Sequence, residues 1–293
     1  MKKFLAQFSV CLPTLFLMLS ATAVAQPPTL ESLARPGPYQ VAYYNQLPSV
    51  PEYAAATLYF PANRGTDFGG VAIAPGYTET QENMEWWGRH LSSYGFAVLI
   101  LDTNTPTDDP QLRADALMAA IDVIRGEGER SGSPIRGKIV NDRMALMGHS
   151  MGGGGTLLAA NSHSEQLKAI IPFTPWLPDG EFSAINVPTL IFAGEDDQIA
   201  EADEHAWPHF QSLSEDVTRM YVEVAGGNHF VANSATDDER LLPNIDAHDL
   251  IGALGVSWLK VYLDEDEAYR PLISGELPTA QMERVSRFQL ESQ

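Results

Sequence analysis

The chain has 293 residues, 44% of them hydrophobic, and 38 acidic side chains against 18 Lys and Arg give a formal net charge of −20 at pH 7. That balance excludes a nucleic-acid surface, which needs basic side chains against phosphate, and a face that adheres to anionic membranes. Cys11 is the only cysteine, so an intramolecular disulfide is excluded and stability must come from packing and hydrogen bonds.

In chain order the first element is a targeting segment rather than fold. Lys2 and Lys3 form a basic start, residues 4–20 are mostly apolar, and Ala23-Val24-Ala25 supplies a small-x-small cleavage pattern. Gln7, Ser9 and Pro13 interrupt the apolar run and no stop-transfer segment follows, so a cleavable signal peptide over residues 1–25 fits better than a stable membrane anchor. Cys11 lies too early in the run for lipid attachment. Cleavage near Ala25 implies export, to the periplasm or outside the cell. Losing Lys2 and Lys3 takes the formal charge from −20 to −22. Residues 26–293 suffice for one α/β domain with a sizeable core, and no repeat, linker or composition break marks a second.

Residues 27–51 are rich in proline and polar side chains and read as an irregular arm. Strand-like runs then recur at 54–60, 70–74, 96–102, 144–148, 168–172, 189–193 and 220–224. Helical patterns fall at 84–93, 111–125, 153–161, 203–213 and 248–263. Apolar strands alternating with helices predict a mostly parallel sheet covered on both faces.

Gly148-His149-Ser150-Met151-Gly152 lies between the apolar run 143–147 and a glycine-rich helix start. A Gly-x-Ser-x-Gly pentapeptide at a strand-to-helix turn is a nucleophile elbow. Its turn is sharp enough that flanking side chains would clash. A serine hydroxyl reacts only when a base takes its proton and an acid orients that base. On such a fold the chain order is Ser, acid, His. The run 188–194 leads into Glu195-Asp196-Asp197, and chemistry alone leaves these three carboxylates open. The loop Gly226-Gly227-Asn228-His229 follows the next strand and makes His229 the natural base. His205 and His209 lie on a predicted helix, His248 opens the last one, and His90 and His163 come at the wrong place in the order. His149 belongs to the pocket floor. The four-residue spacing of His205 and His209 would suit a metal pair, but Pro208 between them and the lack of a third ligand favour a surface helix face. The developing oxyanion needs two amides, expected from Met151 and from Tyr77, which ends the turn after residues 71–74.

Pro75-Gly-Tyr-Thr78, Gln81 with Trp86-Trp87-Gly88, Leu101-Asp-Thr-Asn104, Gly148 through Gly155, Thr174-Pro-Trp176, Asp197-Gln-Ile-Ala200 and Gly227-Asn-His229 form an ordered series. The series resembles the bacterial cutinases and poly(ethylene terephthalate) hydrolases over residues 36–265. The resemblance implies an α/β-hydrolase fold, with a central mostly parallel sheet flanked by helices on both faces and no lid domain. It also settles the acid as Asp197. It implies a shallow, exposed cleft lined by Tyr77, Met151, Trp176 and Ile199, with His149 and Phe230 completing the substrate contacts. The implied activity is that of a secreted, monomeric serine esterase acting on carboxylic esters and polyesters, with no cofactor, no metal and no partner beyond its substrate. A lipase or small-ester carboxylesterase, an acyltransferase and a non-catalytic binding protein are the alternatives.

Three departures from the family pattern stand out. The C-terminal disulfide is absent, which implies lower stability than in thermophilic members. Ala225 occupies the place of an Asp that helps bind calcium in some relatives. Phe230 follows the histidine where the most plastic-active relatives carry a smaller residue, so high activity on aromatic polyester is not implied.

Overall fold

In the computed structural model, which describes residues 27–234 and 247–292, nine strands form one sheet. They are β1 (Val41–Tyr44), β2 (Ala55–Pro61), β3 (Phe68–Ala74), β4 (Ala97–Asp102), β5 (Ile139–His149), β6 (Ala169–Phe173), β7 (Thr189–Gly194), β8 (Arg219–Val224) and β9 (Val285–Glu291). Their order across the sheet is β1-β2-β4-β3-β5-β6-β7-β8-β9. The six strands from β4 to β8 pair in parallel, while β1–β2, β2–β4 and β8–β9 pair antiparallel. The helices are α1 (Leu30–Leu33), α2 (Glu85–Ser93), α3 (Pro110–Glu129), α4 (Met151–His163), α5 (Ala206–Ser212), α6 (His248–Tyr262) and α7 (Thr279–Met282). The expected signal peptide and its cleavage site lie outside the described residues.

The period-2 alternation of the central strands divides the core between two faces. Val71, Ile73, Val98, Ile100 and Met147 point toward Trp87 of α2 and Trp258 of α6. Ala72, Leu99, Leu101, Met144 and Leu146 point toward Leu117 and Ile121 of α3, Leu157 of α4 and Phe210 of α5. Every residue of β3, β7 and β8 is buried, as parallel strands covered on both sides require. Parallel pairing also brings the C-terminal ends of β3, β5, β6, β7 and β8 to one edge of the sheet, where ligands of open α/β sheets bind.

The arm predicted as irregular over residues 27–51 contains α1 and β1. Thr29 and Ser32 close α1 with a capping box, and the Val-Ala-Tyr-Tyr of β1 pairs residue by residue with the end of β2. Prolines on both sides of this short strand hide its pattern. The tail adds β9, an edge strand tied to β8 by the Arg219–Glu291 ion pair. The strand expected over 144–148 starts at Ile139, because Phe68 pairs with Ile139 ahead of a register shift. The helix expected over 203–213 starts only at Ala206. Pro208 falls in its first turn, where the missing N–H costs nothing.

Candidate active site

β5 delivers Ser150 at its C-terminal end and α4 begins at the next residue. Ser150 sits at φ 55°, ψ −118°, a left-handed backbone that L side chains rarely adopt. Thr78 (φ 61°) and Thr174 (φ 36°) share the positive-φ region. Three of the five such non-glycine residues among the described residues therefore lie on the loops at this one edge, where strain is expected to gather. The elbow is closed on both flanks. A Cβ at 148 would run into the carbonyl of Gly152, and one at 152 into the carbonyl of Ala74. The Ser150 carbonyl accepts the N–H of Trp176 (2.9 Å) and the Ser150 N–H donates to Phe173 (3.0 Å), which fixes the elbow against the end of β6.

Three segments far apart in sequence converge on the hydroxyl. His229 Nε2 lies 2.8 Å from Ser150 Oγ and His229 Nδ1 lies 2.7 Å from Asp197 Oδ2. Asp197 Oδ1 accepts the backbone N–H groups of Ile199 (2.9 Å) and Ala200 (2.8 Å), so the carboxylate presents one particular oxygen to the ring. All three side chains are at least 95% buried. Of the neighbouring carboxylates, Glu195 turns away to accept the N–H of Gly226, and Asp196 is exposed. The His229 carbonyl is held by Thr174 Oγ1 (3.0 Å) and by His149 Nε2 (2.8 Å).

Burial pulls the pKa of His229 below the ordinary histidine value, and the nearby His149 adds to that against the opposing Asp197. The ring is thus kept neutral, with Nε2 free to accept the serine proton once Nδ1–H donates to Asp197.

The Met151 amide is the first N–H of α4, one of those that a helix leaves without an intrahelical acceptor. Tyr77 follows the Pro75-Gly76 turn, which packs against the elbow, since a Cβ at 76 would meet the Ser150 side chain. Around the hydroxyl the expected cleft residues differ in exposure. Tyr77 is 51% and Ile199 55% exposed, two of the four large apolar side chains so exposed among the described residues. Met151, Trp176 and Phe230 are partly covered.

His149 departs from expectation. It has no exposed surface, and its ring is spent on Glu79 and the His229 carbonyl, so it lies behind the site instead of contacting substrate. His209 departs too. It is not on a surface face but 2% exposed, packed edge-on against Phe182 at 5.3 Å, with burial pulling its pKa down to about 4. Among the described residues no three His, Cys, Asp or Glu side chains are grouped so as to hold a metal ion.

Glu79, Asn233 and Arg113 were not singled out from sequence, and Thr174 entered only as a member of the Thr174-Pro-Trp176 motif. A signal existed for Glu79 alone, an acid four residues past the turn-forming Pro75 at a strand end. The other three are polar side chains in loops or on a helix, where sequence gives no reason to expect burial.

Comparison with known proteins places this geometry. A family model described as PET hydrolase-like matches residues 19–290. Cutinase 2 of Thermobifida cellulosilytica is 39% identical over 237 residues, covering 80% of this chain and 84% of that enzyme. Cutinase est2 of Thermobifida alba is also 39% identical, covering 80% and 73% respectively. A bis(hydroxyethyl) terephthalate hydrolase of Streptomyces coelicolor is 38% identical over 250 residues, 84% of this chain and 74% of that enzyme.

Proposed function

The chain belongs to the PET hydrolase-like family, and from that premise we propose that it is an exported serine esterase of cutinase type that cleaves carboxylic esters and polyesters at Ser150. That it is a carboxylic ester hydrolase follows from its family; the catalytic roles, the polymer substrate and export are our reading. The observation that carries the roles is the chain of contacts from Ser150 Oγ to His229 to Asp197, at 2.8 and 2.7 Å.

Ser150 Oγ attacks the ester carbonyl while His229 Nε2 takes its proton. The carbonyl oxygen becomes an oxyanion, received by the amides of Tyr77 and Met151. As the tetrahedral intermediate collapses, His229 gives its proton to the leaving alcohol and the acyl group stays on Ser150. Water then attacks the acyl-enzyme, His229 takes its proton, and the acid departs as Ser150 recovers a hydrogen. Asp197 keeps the His229 proton on Nδ1 and stabilises the imidazolium that forms at each step.

The exposed Tyr77 and Ile199, on the loops that carry the turn after β3 and Asp197, favour a flat acyl group laid across an open cleft, since each such side chain can bury apolar area worth a few kcal/mol. Two of the relatives bear the name cutinase and one is named for a terephthalate ester. The test compares release of acid from p-nitrophenyl esters, emulsified long-chain triglyceride, aliphatic polyester and poly(ethylene terephthalate) film. Turnover of aliphatic polyester is expected. Activity confined to soluble esters would point to a carboxylesterase, and activity confined to triglyceride to a lipase. Size-exclusion chromatography with light scattering tests the expected monomer, and N-terminal sequencing of exported protein tests cleavage near Ala25.

A further inference from the structure

Behind the His229 loop lies a buried polar network that the reaction scheme above does not use. At its centre is Glu79, 3% exposed. Its Oε2 accepts the backbone N–H of Gly76 (2.5 Å) and faces His149 Nδ1 (2.8 Å), while its Oε1 accepts the side-chain amide of Asn233 (2.5 Å). Each partner belongs to a different part of the site. Gly76 precedes the Tyr77 amide, His149 precedes Ser150, and Asn233 follows His229 in the same loop. We propose that Glu79 is a positioning residue of the esterase: one carboxylate ties the oxyanion turn, the elbow and the histidine loop together and, through His149, keeps His229 neutral. This rests on the reading of Ser150 and His229 as nucleophile and base.

The proton count follows from the acceptors. His149 Nε2 faces the His229 carbonyl, which can only accept, so Nε2 carries hydrogen. Glu79 receives two N–H donors besides His149, and hydrogen bonds to the charged form hold a carboxylate ionised. His149 Nδ1 therefore also carries hydrogen, and the ring is an imidazolium within the pair. Burial opposes charge on both partners. Their mutual attraction and hydrogen bonds prevail, holding Glu79 below the usual carboxylate range and His149 above the usual histidine value.

The His149 and His229 rings lie 4.9 Å apart, centre to centre. The charged groups facing His229 are His149 from β5, Asp197 from the loop after β7 and Glu79 from the turn after β3. Arg113 of α3 acts on Glu79 from the far side of that turn. The His149 cation acts on His229 more strongly than its counter-ion does, so the pair as a whole disfavours a second proton on the base. Remove the carboxylate and the buried His149 gives up its charge, and His229 then protonates at higher pH.

Three measurements on the full-length mature protein test this. Nitrogen NMR of histidine-labelled wild type should show His149 doubly protonated at pH 8; a neutral His149 at that pH overturns the proposal without any variant. Glu79→Gln should move the acid limb of kcat/KM on a soluble p-nitrophenyl ester upward by about half a pH unit and lower the plateau roughly tenfold. Glu79→Asp keeps the charge but cannot reach all three partners, so the plateau should fall while the limb stays in place. A limb unmoved in Glu79→Gln, with activity lost only in proportion to folded protein, would reduce Glu79 to a structural salt bridge. Fluorophosphonate labelling of wild-type Ser150 separates the two claims: absence of label rejects the esterase reading, while the NMR result speaks to the Glu79–His149 pair alone.

Discussion

Arg113 of α3 donates from Nη1 to the carbonyl of Pro75 at 2.9 Å, with no part of its side chain exposed. Its other donors go to carbonyls as well, Nε to Asp108 (2.9 Å) and Nη2 to Pro106 (3.0 Å). Pro106 in turn accepts the N–H of Thr78 (2.8 Å). The turn proposed to carry the oxyanion amide is thus pinned from beneath by one guanidinium fork.

Replacing that fork tests how much the turn depends on it. A lysine presents a single ammonium and cannot meet three carbonyls that diverge in the guanidinium plane. Arg113→Lys should destabilise the fold by about 2–4 kcal/mol, because buried carbonyls are left unpaired. It should also lower kcat more than it raises KM, since the oxyanion exists only in the transition state. Urea unfolding and steady-state kinetics check both, and unchanged kcat in folded protein would separate Arg113 from the oxyanion turn.

The two oxygens of Asp197 do different jobs, which sharpens a second prediction. Oδ1 is claimed by the amides of Ile199 and Ala200, so an asparagine at 197 must keep its carbonyl there and turn its NH₂ toward His229. That donor forces the ring hydrogen onto Nε2, where it faces Ser150 and blocks proton abstraction. Asp197→Asn should lower kcat about 10⁴-fold, and Ser150→Ala about 10⁶-fold. Retained turnover in pure Ser150→Ala protein would exclude the scheme.

Sequence alone placed Ser150, the carboxylate cluster and His229 because each is announced locally, by glycines at an elbow or by the strand that ends beside it. Local chemistry could not tell Glu195 and Asp196 from Asp197, and only the family resemblance pointed to Asp197. That choice is made by backbone amides at residues 199 and 200 and by the way Glu195 folds back on Gly226. His149 shows the complementary limit. Its position next to the nucleophile suggested the pocket floor, but alternation along β5 turns its side chain to Glu79, 70 residues earlier in the chain. Edge strands β1 and β9 were missed for a related reason. They are stabilised by pairing with a neighbour, and little in their own short sequences marks them.

The rate profile should carry the signature of His229. A general base must be neutral, and burial places its pKa below the ordinary 6.5. The acid limb of kcat/KM should therefore have its midpoint below pH 6.5, where an exposed histidine would put it. A midpoint above 6.5, or a rate that does not fall on acidification for as long as the protein stays folded, would contradict the role.

Stability should depend on pH in the same range, because burial lowers the pKa of His229 and His248 and most clearly that of His90 and His209. His90 and His209 are pulled down to about 4, chiefly by burial, so the folded chain binds their protons more weakly than the unfolded chain, whose histidines titrate near 6.5. Where the unfolded state holds more protons, stability rises with pH. Their contribution is complete above about pH 6.5 and is lost as pH falls toward 4. His149 has the opposite sign, but its raised pKa affects only the range above 6.5. Asp249, which Arg284 holds low against the effect of burial, enters only below the carboxylate range. Between about pH 7 and pH 5 each of the two buried histidines should remove about 2 kcal/mol, a large part of the 5–15 kcal/mol typical of a domain. Urea midpoints should fall accordingly, and His209→Phe, which keeps a ring against Phe182, should recover about 2 kcal/mol of the fall. Equal midpoints at the two pH values in the wild type would mean that neither ring is held neutral by the fold.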